Sequence, residues 1–258
     1  PPGRTVMTAA EIIAALDLPP GSRVDQRIPK TLLVDNGAPT AADKRLINDG
    51  IERLQWHAAI KPANSGVPEY RDVVRHYIEI AVLELTLRSD AKMDRLVELT
   101  HRAVPYPVVL VTEAAKTASL SLVHKRVSEA EADRVVLDGE VVTARPYLTD
   151  DMAITAAFLD SLAIGHQRQE SLRALYQGWI DTLLTLKAAA HTGVFRPAPT
   201  AEAASARRDA LKECASIEAE MTSLRAAATK TKQVARRAEI NLDLQRLRSR
   251  HAAAQAQL

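Results

Sequence analysis

The 258 residues are 47% apolar, 26% charged and 3% aromatic, a composition typical of a globular chain and unlike that of a collagen or a disordered protein. No apolar run approaches the roughly 20 residues of a membrane-spanning helix. The net charge is only +2, but residues 200–258 hold eleven Lys and Arg against seven Asp and Glu, a net +4. The remainder of the chain carries −2, so the C-terminal segment is its basic part.

The single cysteine, Cys214, excludes an internal disulfide, and the first residues show no apolar signal core, so we expect a cytoplasmic protein. The regular pattern begins at Thr8, and residues 1–7 are expected to be an expression remnant or a disordered start. The chain is predicted to be α+β. Residues 8–150 form a mixed α/β domain with a small sheet, and residues 151–258 form an all-helical domain with a long coiled-coil-like terminal helix or a helical hairpin.

The first elements follow from caps and periodicity. Thr8 and Glu11 have the spacing of a capping box and predict a short helix. Residues 24–34 predict an extended segment. Thr40 then opens a second helix, because apolar residues recur at intervals of three and four until Pro62 ends the pattern.

Residues 77–87 predict a central strand, since apolar side chains alternate onto both of its faces. Ser89 or Asp90 caps the next helix, and residues 108–111 predict a second strand. Together these segments form a strand, helix, strand unit.

Two further strand segments follow. Residues 118–125 predict a third strand with one water-exposed face, on which Lys125 lies. Residues 135–142 predict a β-hairpin, because Asp138-Gly139 stands between two apolar halves.

Beyond residue 150 the pattern is helical throughout. Helices are predicted over residues 154–162, over residues 172–191 and from Thr200 onward, and the prolines in residues 193–199 predict a hinge. The last segment repeats small and apolar residues at alternating steps of four and three, namely Ile217, Met221, Leu224, Ala228, Thr231, Ala235, Ala238 and Leu242. Such a seam needs a partner helix, either the preceding helix folded back as a hairpin or another chain.

Most catalytic chemistries lack their motifs. Neither G-x-x-x-x-G-K-[ST] nor G-x-G-x-x-G occurs, which excludes a P-loop or Rossmann nucleotide site. The sequence lacks the closely spaced Cys or His pairs of a zinc site. Glu98 and His101 have the spacing found in di-iron carboxylate helices, but such a site needs two of these pairs and two further glutamates. G-x-S-x-G is absent, and Cys214 is expected to be a buried structural thiol. We therefore expect no catalytic residue, no cofactor and no metal site.

A metal-dependent nuclease is the enzyme class that remains open, because a helix followed by strand, helix and strands superficially matches a restriction-endonuclease core. Glu79 and Glu84 are five residues apart on one predicted strand, which places them on opposite faces. The only Asp-x-Lys motif, Asp90–Lys92, falls at a helix start. A divergent Mg²⁺-dependent nuclease would use Glu79 or Glu84 with Asp138 and Lys125.

Two small groups of cations are candidate contacts to phosphate, nucleic acid or an acidic partner. The first group lies at the end of the third predicted strand and consists of His124, Lys125 and Arg126. The alternative interpretation is that these residues are simply polar because the strand ends in water. A second charged set consists of Arg23, Arg27 and Lys30 around Pro29 with Asp43, Lys44 and Arg45 at the start of the second helix, and salt-bridged packing explains this set at least as well.

The basic C-terminal segment supplies the larger set of candidate contacts. From residue 225 to residue 237 it contains no Asp or Glu. The cations there are Arg225, Lys230, Lys232, Arg236 and Arg237. They suit a nucleic-acid backbone, and a solvated helix face is the alternative interpretation.

Seven segments resemble those of a known bacterial family of unknown function. They are Ser22–Lys30, Asn36–Lys44, Tyr77–Arg88, His101–Pro107, Leu120–Arg126, Leu137–Val141 and Tyr176–Asp181. Members of that family are encoded beside a helicase-related protein and a site-specific DNA methyltransferase, in loci that look like restriction-modification or antiphage defence islands. The resemblance implies these partners and supplies no catalytic residues.

We therefore expect a non-catalytic accessory subunit of such a complex, which docks on the helicase-related protein or the methyltransferase and contacts DNA. One alternative is the divergent nuclease of the same locus, and another is a stand-alone DNA-binding module that uses the basic C-terminal helix. A homodimer through that helix is a further option, and no contact with a membrane is expected.

Overall fold

The computed structural model describes residues 7–129, 134–145, 151–231 and 233–258. The chain divides into two compact units, one that ends at Leu183 and one from Leu184 to Leu258. The sequence-based boundary at residue 150 falls earlier. Residues 1–6 of the expected disordered start lie outside the described ranges, whereas Met7 is buried and its carbonyl accepts a hydrogen bond from the Ala118 N–H at 2.9 Å.

The first unit is built on a six-stranded mixed sheet of order β1-β2-β5-β6-β7-β8. Its strands are β1 (Arg23–Arg27), β2 (Ile51–Ile60), β5 (Ile80–Leu87), β6 (Val108–Ala114), β7 (Thr117–Val127) and β8 (Val135–Ala144). A separate ribbon pairs β3 (Tyr70–Arg71) with β4 (His76–Tyr77). β5 and β6 run parallel, and the other described neighbours in the sheet are antiparallel. The expected mixed α/β part followed by helices is therefore confirmed.

Nine α-helices are described. They are α1 (Ala9–Ala15), α2 (Lys30–Gly37), α3 (Ala41–Gly50), α4 (Pro62–Ser65), α5 (Met93–Ala103), α6 (Met152–Asp160), α7 (Leu172–Thr192), α8 (Ala201–Lys230) and α9 (Val234–Gln255). Among the described residues, no helix combines the length and the apolar run that a bilayer span requires. The predicted caps at Thr8 and Thr40 are present, and each side chain accepts a hydrogen bond from the backbone N–H three residues on.

The predicted strand, helix, strand unit is confirmed as β5-α5-β6. Its predicted details were partly wrong, because the strand begins at Ile80 instead of Tyr77 and α5 begins at Met93 after Lys92, with no side-chain cap from Ser89 or Asp90. One face of this pair packs against α2, α3 and α5, in a core that includes Leu33, Ile47, Leu85, Leu96 and Leu110. The opposite face is buried as well and lies against α1 and the first turns of α7.

The prediction of one long helix between Thr40 and Pro62 was wrong, because α3 ends at Gly50 and β2 follows directly. β2 carries two irregularities in its pairing with β5, between Ile51 and Arg53 and between Trp56 and Ala58. Each one inserts a residue and stretches the strand period of two into steps of three or four, which mimics a helix.

Residues 24–34 were also predicted incorrectly. Only the first part is extended, in β1, and after Pro29 the chain enters α2. Proline suits such a position, because its fixed φ and missing N–H do not disturb the first turn of a helix.

The predicted hairpin at 135–142 is instead a single strand, β8, that pairs along β7. The Asp138-Gly139 step forms an irregularity in that pairing, where Gly139 adopts φ +102°. The water-exposed face predicted for residues 118–125 is also wrong. Ser119, Ser121 and Lys125 are all buried beneath α5.

The predicted coiled-coil seam exists, but within a hairpin in which α8 ends at Lys230 and α9 begins at Val234. Ile217 and Met221 of α8 pack against Ile240, Leu244 and Leu247 of α9. The second half of the predicted seam was wrong, since Ala235, Ala238 and Leu242 are exposed. The apolar stripe of α8 does not continue into α9 at the same spacing, because the chain reverses direction between the two helices. The helix that packs against α8 is therefore α9.

A pair of substitutions in α9 separates the hairpin from a continuous seam. Leu244→Ala removes a buried side chain from the interface and should cost about 2–5 kcal/mol of helical stability. Leu242→Ala removes a side chain that is 55% exposed and should change stability by less than about 0.5 kcal/mol. Urea titration followed by circular dichroism at 222 nm measures both. An equal cost for the two changes would contradict the hairpin register.

Candidate functional site

The structure does not bring His124, Lys125 and Arg126 together as one donor cluster. The side chains of His124 and Lys125 lie on opposite faces of β7, with Lys125 beneath α5 and His124 against Gln177 of α7. Arg126 is half-buried and pairs with Glu129 at 3.1 Å. Each of the three residues is thus engaged by a different part of the first unit.

Lys125 is 3% exposed, and its ammonium donates to the carbonyl oxygen of Val104 at the end of α5. Burial lowers the pKa of this lysine to about 7. His101, fully buried beside it, has a pKa well below its usual range because of burial and the nearby Lys125. Its Nε2 lies 3.0 Å from the Ser121 hydroxyl. This polar pocket beneath α5 is enclosed by the core.

His124 belongs to a chain of hydrogen bonds on the other face of the sheet. The amide of Gln177 donates from Nε2 to Asp181 at 2.8 Å, which leaves its Oε1 to accept from Nε2 of His124, also at 2.8 Å. On the other side of the ring, Nδ1 of His124 lies within hydrogen-bonding distance of the hydroxyl of Tyr77. Burial raises the pKa of Tyr77, so its hydroxyl keeps its proton. The chain joins β4, β7 and α7.

Tyr176 of α7 completes this face. Its hydroxyl lies 2.8 Å from the carbonyl oxygen of Val108 in β6 and accepts a hydrogen bond from the N–H of Val123 in β7 at 3.0 Å. β6 and β7 pair as far as Leu110 and Ser121, and beyond that point the hydroxyl stands between the strands. Burial raises its pKa well above the usual value. This tyrosine substitutes for backbone pairing.

The residues of the nuclease alternative are each held by a different partner. Glu79 pairs with Lys61 at 3.0 Å, and Glu84 pairs with Arg53 and His57, both at 2.7 Å. The hydrogen bond from His57, followed by Arg53, holds the pKa of Glu84 below its usual range against the effect of burial.

Asp138 accepts from Arg75 at 2.7 Å, so Lys125 is paired with none of these acids. Within the described ranges no group of three His, Cys, Asp or Glu side chains is placed to hold a metal ion. The geometry therefore gives this alternative no assembled site.

The basic C-terminal residues gather where α8 and α9 meet. Arg225 and Lys230 lie on the last turns of α8, and Arg236 and Arg237 lie on the first turn of α9. All four are exposed, and Lys232 lies outside the described residues. We call residues 225–237 the basic tip. Far from the basic tip, Nε2 of His251 in α9 lies 2.9 Å from a carboxylate oxygen of Glu218 in α8.

Sequence reasoning found the cations of the basic tip by composition and missed the buried polar residues. Those residues are His101, Tyr77 and Tyr176, which are buried, and Gln177, which is partly buried, and they come from three separate segments. All four lie in segments that carry the family resemblance described above. That resemblance was the one signal that marked them, because neither burial nor pairing can be read from an isolated His or Tyr.

Replacing Lys125 with Met tests the buried ammonium. Its pKa of about 7 lies below the ordinary 10.5, so between these pH values the unfolded chain binds more protons than the folded chain. The stability contributed by this group therefore rises with pH, with a slope approaching about 1.4 kcal/mol per pH unit. From pH 7 to pH 9, urea titrations should show the parent protein gaining stability relative to Lys125→Met. A difference independent of pH would contradict the burial of a titrating lysine.

Comparison with known proteins gives a family and no function. A family model described as a domain of unknown function, DUF4391, matches residues 16–250. No curated protein and no solved structure is similar enough to this chain to count as a match. The expectation of a family of unknown function is confirmed at this level, and the genetic setting stays a prediction. Since the match runs from the end of α1 into α9, the chain belongs to the DUF4391 family.

Proposed function

We propose that this protein is a non-catalytic accessory subunit that contacts the phosphates of DNA through its basic tip. Its partner is the helicase-related protein or the DNA methyltransferase of an antiphage defence or restriction-modification complex. The observation that carries the proposal is the collection of exposed cations at one end of the α8–α9 hairpin.

The charge of the basic tip is largely uncompensated by the residues that the structure describes. In the described residues, Arg225, Lys230 and Arg237 make no side-chain hydrogen bond or ion pair. Arg236 pairs with Glu239 at 2.7 Å, but both side chains are more than 60% exposed, and such a pair contributes little. Cations in this state are free to replace the counterions of a nucleic-acid backbone, and the release of those ions drives binding.

The packing of α8 against α9 holds the backbone that carries these cations in one conformation. α8 has 30 residues and is therefore about 45 Å long, and the apolar contacts with α9 extend to Leu224 and Ala228 near the turn. Because the two helices are packed up to the tip, binding need not order a flexible segment and loses less conformational entropy. A backbone contact of this kind is independent of DNA sequence.

Two features favour an accessory role over the nuclease alternative. The acids of that alternative are paired with separate cations, and Lys125 is enclosed beneath α5. A hydrolytic metal site needs carboxylates that converge on one ion. The stand-alone DNA-binding module shares the basic tip with our proposal and differs from it only in lacking the partner.

A charge-matched pair of double variants tests the DNA contact. Arg225→Gln with Arg237→Gln removes two cations from the basic tip. Lys212→Gln with Arg248→Gln removes two exposed cations from the same hairpin, roughly 20 to 27 Å from its turn. The tip variant should weaken binding to a DNA duplex and reduce the slope of log affinity against log salt by about 0.9 per lost phosphate contact. Fluorescence anisotropy over a range of salt concentrations measures both quantities.

The control variant should keep the affinity and salt slope of the parent protein. Its net charge equals that of the tip variant, so equal weakening in both would mean that only overall charge matters. That result, or unchanged binding in the tip variant, would refute the basic tip as the DNA contact. Circular dichroism of both variants confirms that the hairpin remains folded.

A further inference from the structure

A second concentration of positive charge lies in the first unit, at the open edge of the sheet. Where β1 ends and α2 begins, the chain forms a cleft of about 340 Å³ against β2. Three cations line it, Arg27, Lys30 and Arg53, together with one acid, Glu52. Its remaining lining is mainly apolar. We call this the edge cleft.

Two of the three cations have a polar partner among the described residues, and none of the three forms an ion pair with Glu52. Arg53 is oriented by Glu84, which lies 2.7 Å from its Nη2. The ammonium of Lys30 donates to the carbonyl oxygen of Asn48 at 3.1 Å and keeps two further donors. In the part of the chain that the structure describes, the side chain of Arg27 makes no hydrogen bond or ion pair, although its backbone pairs with β2.

Of the charged set for which the sequence suggested salt-bridged packing, Asp43 does pair, with Arg95 at 2.8 Å, whereas Arg27 and Lys30 form no ion pair with another described residue. Lys30 contacts an uncharged carbonyl at the end of α3, as does Arg88, whose Nη1 lies 2.6 Å from the Asp49 oxygen. Both cations complement the helix C-terminus and retain their full charge.

The local field at the cleft is positive. The pKa of Lys30 is lowered by burial and then by repulsion from Arg88 and Arg27, while Asp49 and Glu52 offset part of this. The amino end of α2 adds to the same field, because no side chain caps it and no acid lies in its first turn. An anion in the cleft would relieve the repulsion among these cations.

We infer that the edge cleft binds a phosphate group. Two arginines and a lysine around a small cleft provide the forked and point-charge donors that phosphate oxygens accept. The phosphate is either a terminal monoester, as on a nucleotide, or an internal diester of a nucleic-acid strand. The inference does not rest on the basic tip, since the edge cleft lies in the first unit and the tip in the second.

Isothermal titration calorimetry of the full chain with inorganic phosphate, at constant ionic strength, tests the inference. The parent protein should bind phosphate at one site. Arg27→Gln with Lys30→Gln should weaken that binding at least tenfold. Lys44→Gln with Lys116→Gln, which removes two exposed cations elsewhere in the first unit, should leave it unchanged. Thermal melting confirms that each variant folds.

A second arm distinguishes the two sources of phosphate. In the tip variant Arg225→Gln with Arg237→Gln, a 5′-phosphorylated oligonucleotide is compared with the same oligonucleotide bearing a 5′-hydroxyl. Tighter binding of the phosphorylated form would show that the cleft takes a terminal monoester. Equal binding of the two forms that is lost on adding Arg27→Gln with Lys30→Gln, the cleft variant, would show that it takes a diester. Either result supports the edge cleft as a phosphate site. Absence of phosphate binding in the parent protein, or equal loss in the cleft and control variants, would overturn the inference.

Discussion

Burial of the β5–β6 pair on both faces is the constraint on which the rest of the first unit depends. Parallel neighbours need a crossover connection, and α5 supplies it. Leu83 and Leu85 face α5, while Val82 and Val109 face the other way, and all four are essentially inaccessible to water. A layer of helices is therefore required on each side of the sheet. α2, α3 and α5 form one layer, and α1 with the first turns of α7 covers the other face.

This constraint decides what the polar residues of the interior can do. Three polar side chains are buried between the sheet and its helices, namely Lys125, His101 and Tyr176. Because water does not reach them, their hydrogen-bond partners must come from the chain itself. Tyr176 replaces missing strand pairing, and the ammonium of Lys125 meets a helix-end carbonyl. Residues that would suggest chemistry in an isolated sequence thereby serve the fold. Among the described residues, the cations of the edge cleft and of the basic tip lie outside this core.

Local signals predicted much of this architecture. The caps at Thr8 and Thr40, the β5-α5-β6 unit and the extent of α7 were all readable. β2 was not, because its two pairing irregularities give the apolar residues a helical spacing. The α8–α9 turn was hidden since Thr231 to Gln233 contains neither Gly nor Pro. Composition exposed the cations of the tip, but that they share one end of a hairpin follows only from the turn. Arg27 and Arg53 line the same cleft because β1 pairs with β2, and the spacing of residues in the sequence does not predict that pairing.

We propose that the protein works as a DNA-contacting subunit of a larger complex. The most direct test is to tag it at its own locus, recover it from nuclease-treated native lysate and identify what accompanies it. Nuclease treatment removes proteins that are joined only through DNA. We expect recovery of the helicase-related protein or the methyltransferase in a defined stoichiometry. The tip substitutions Arg225→Gln and Arg237→Gln should leave that stoichiometry unchanged. Recovery of the protein alone would contradict the accessory role.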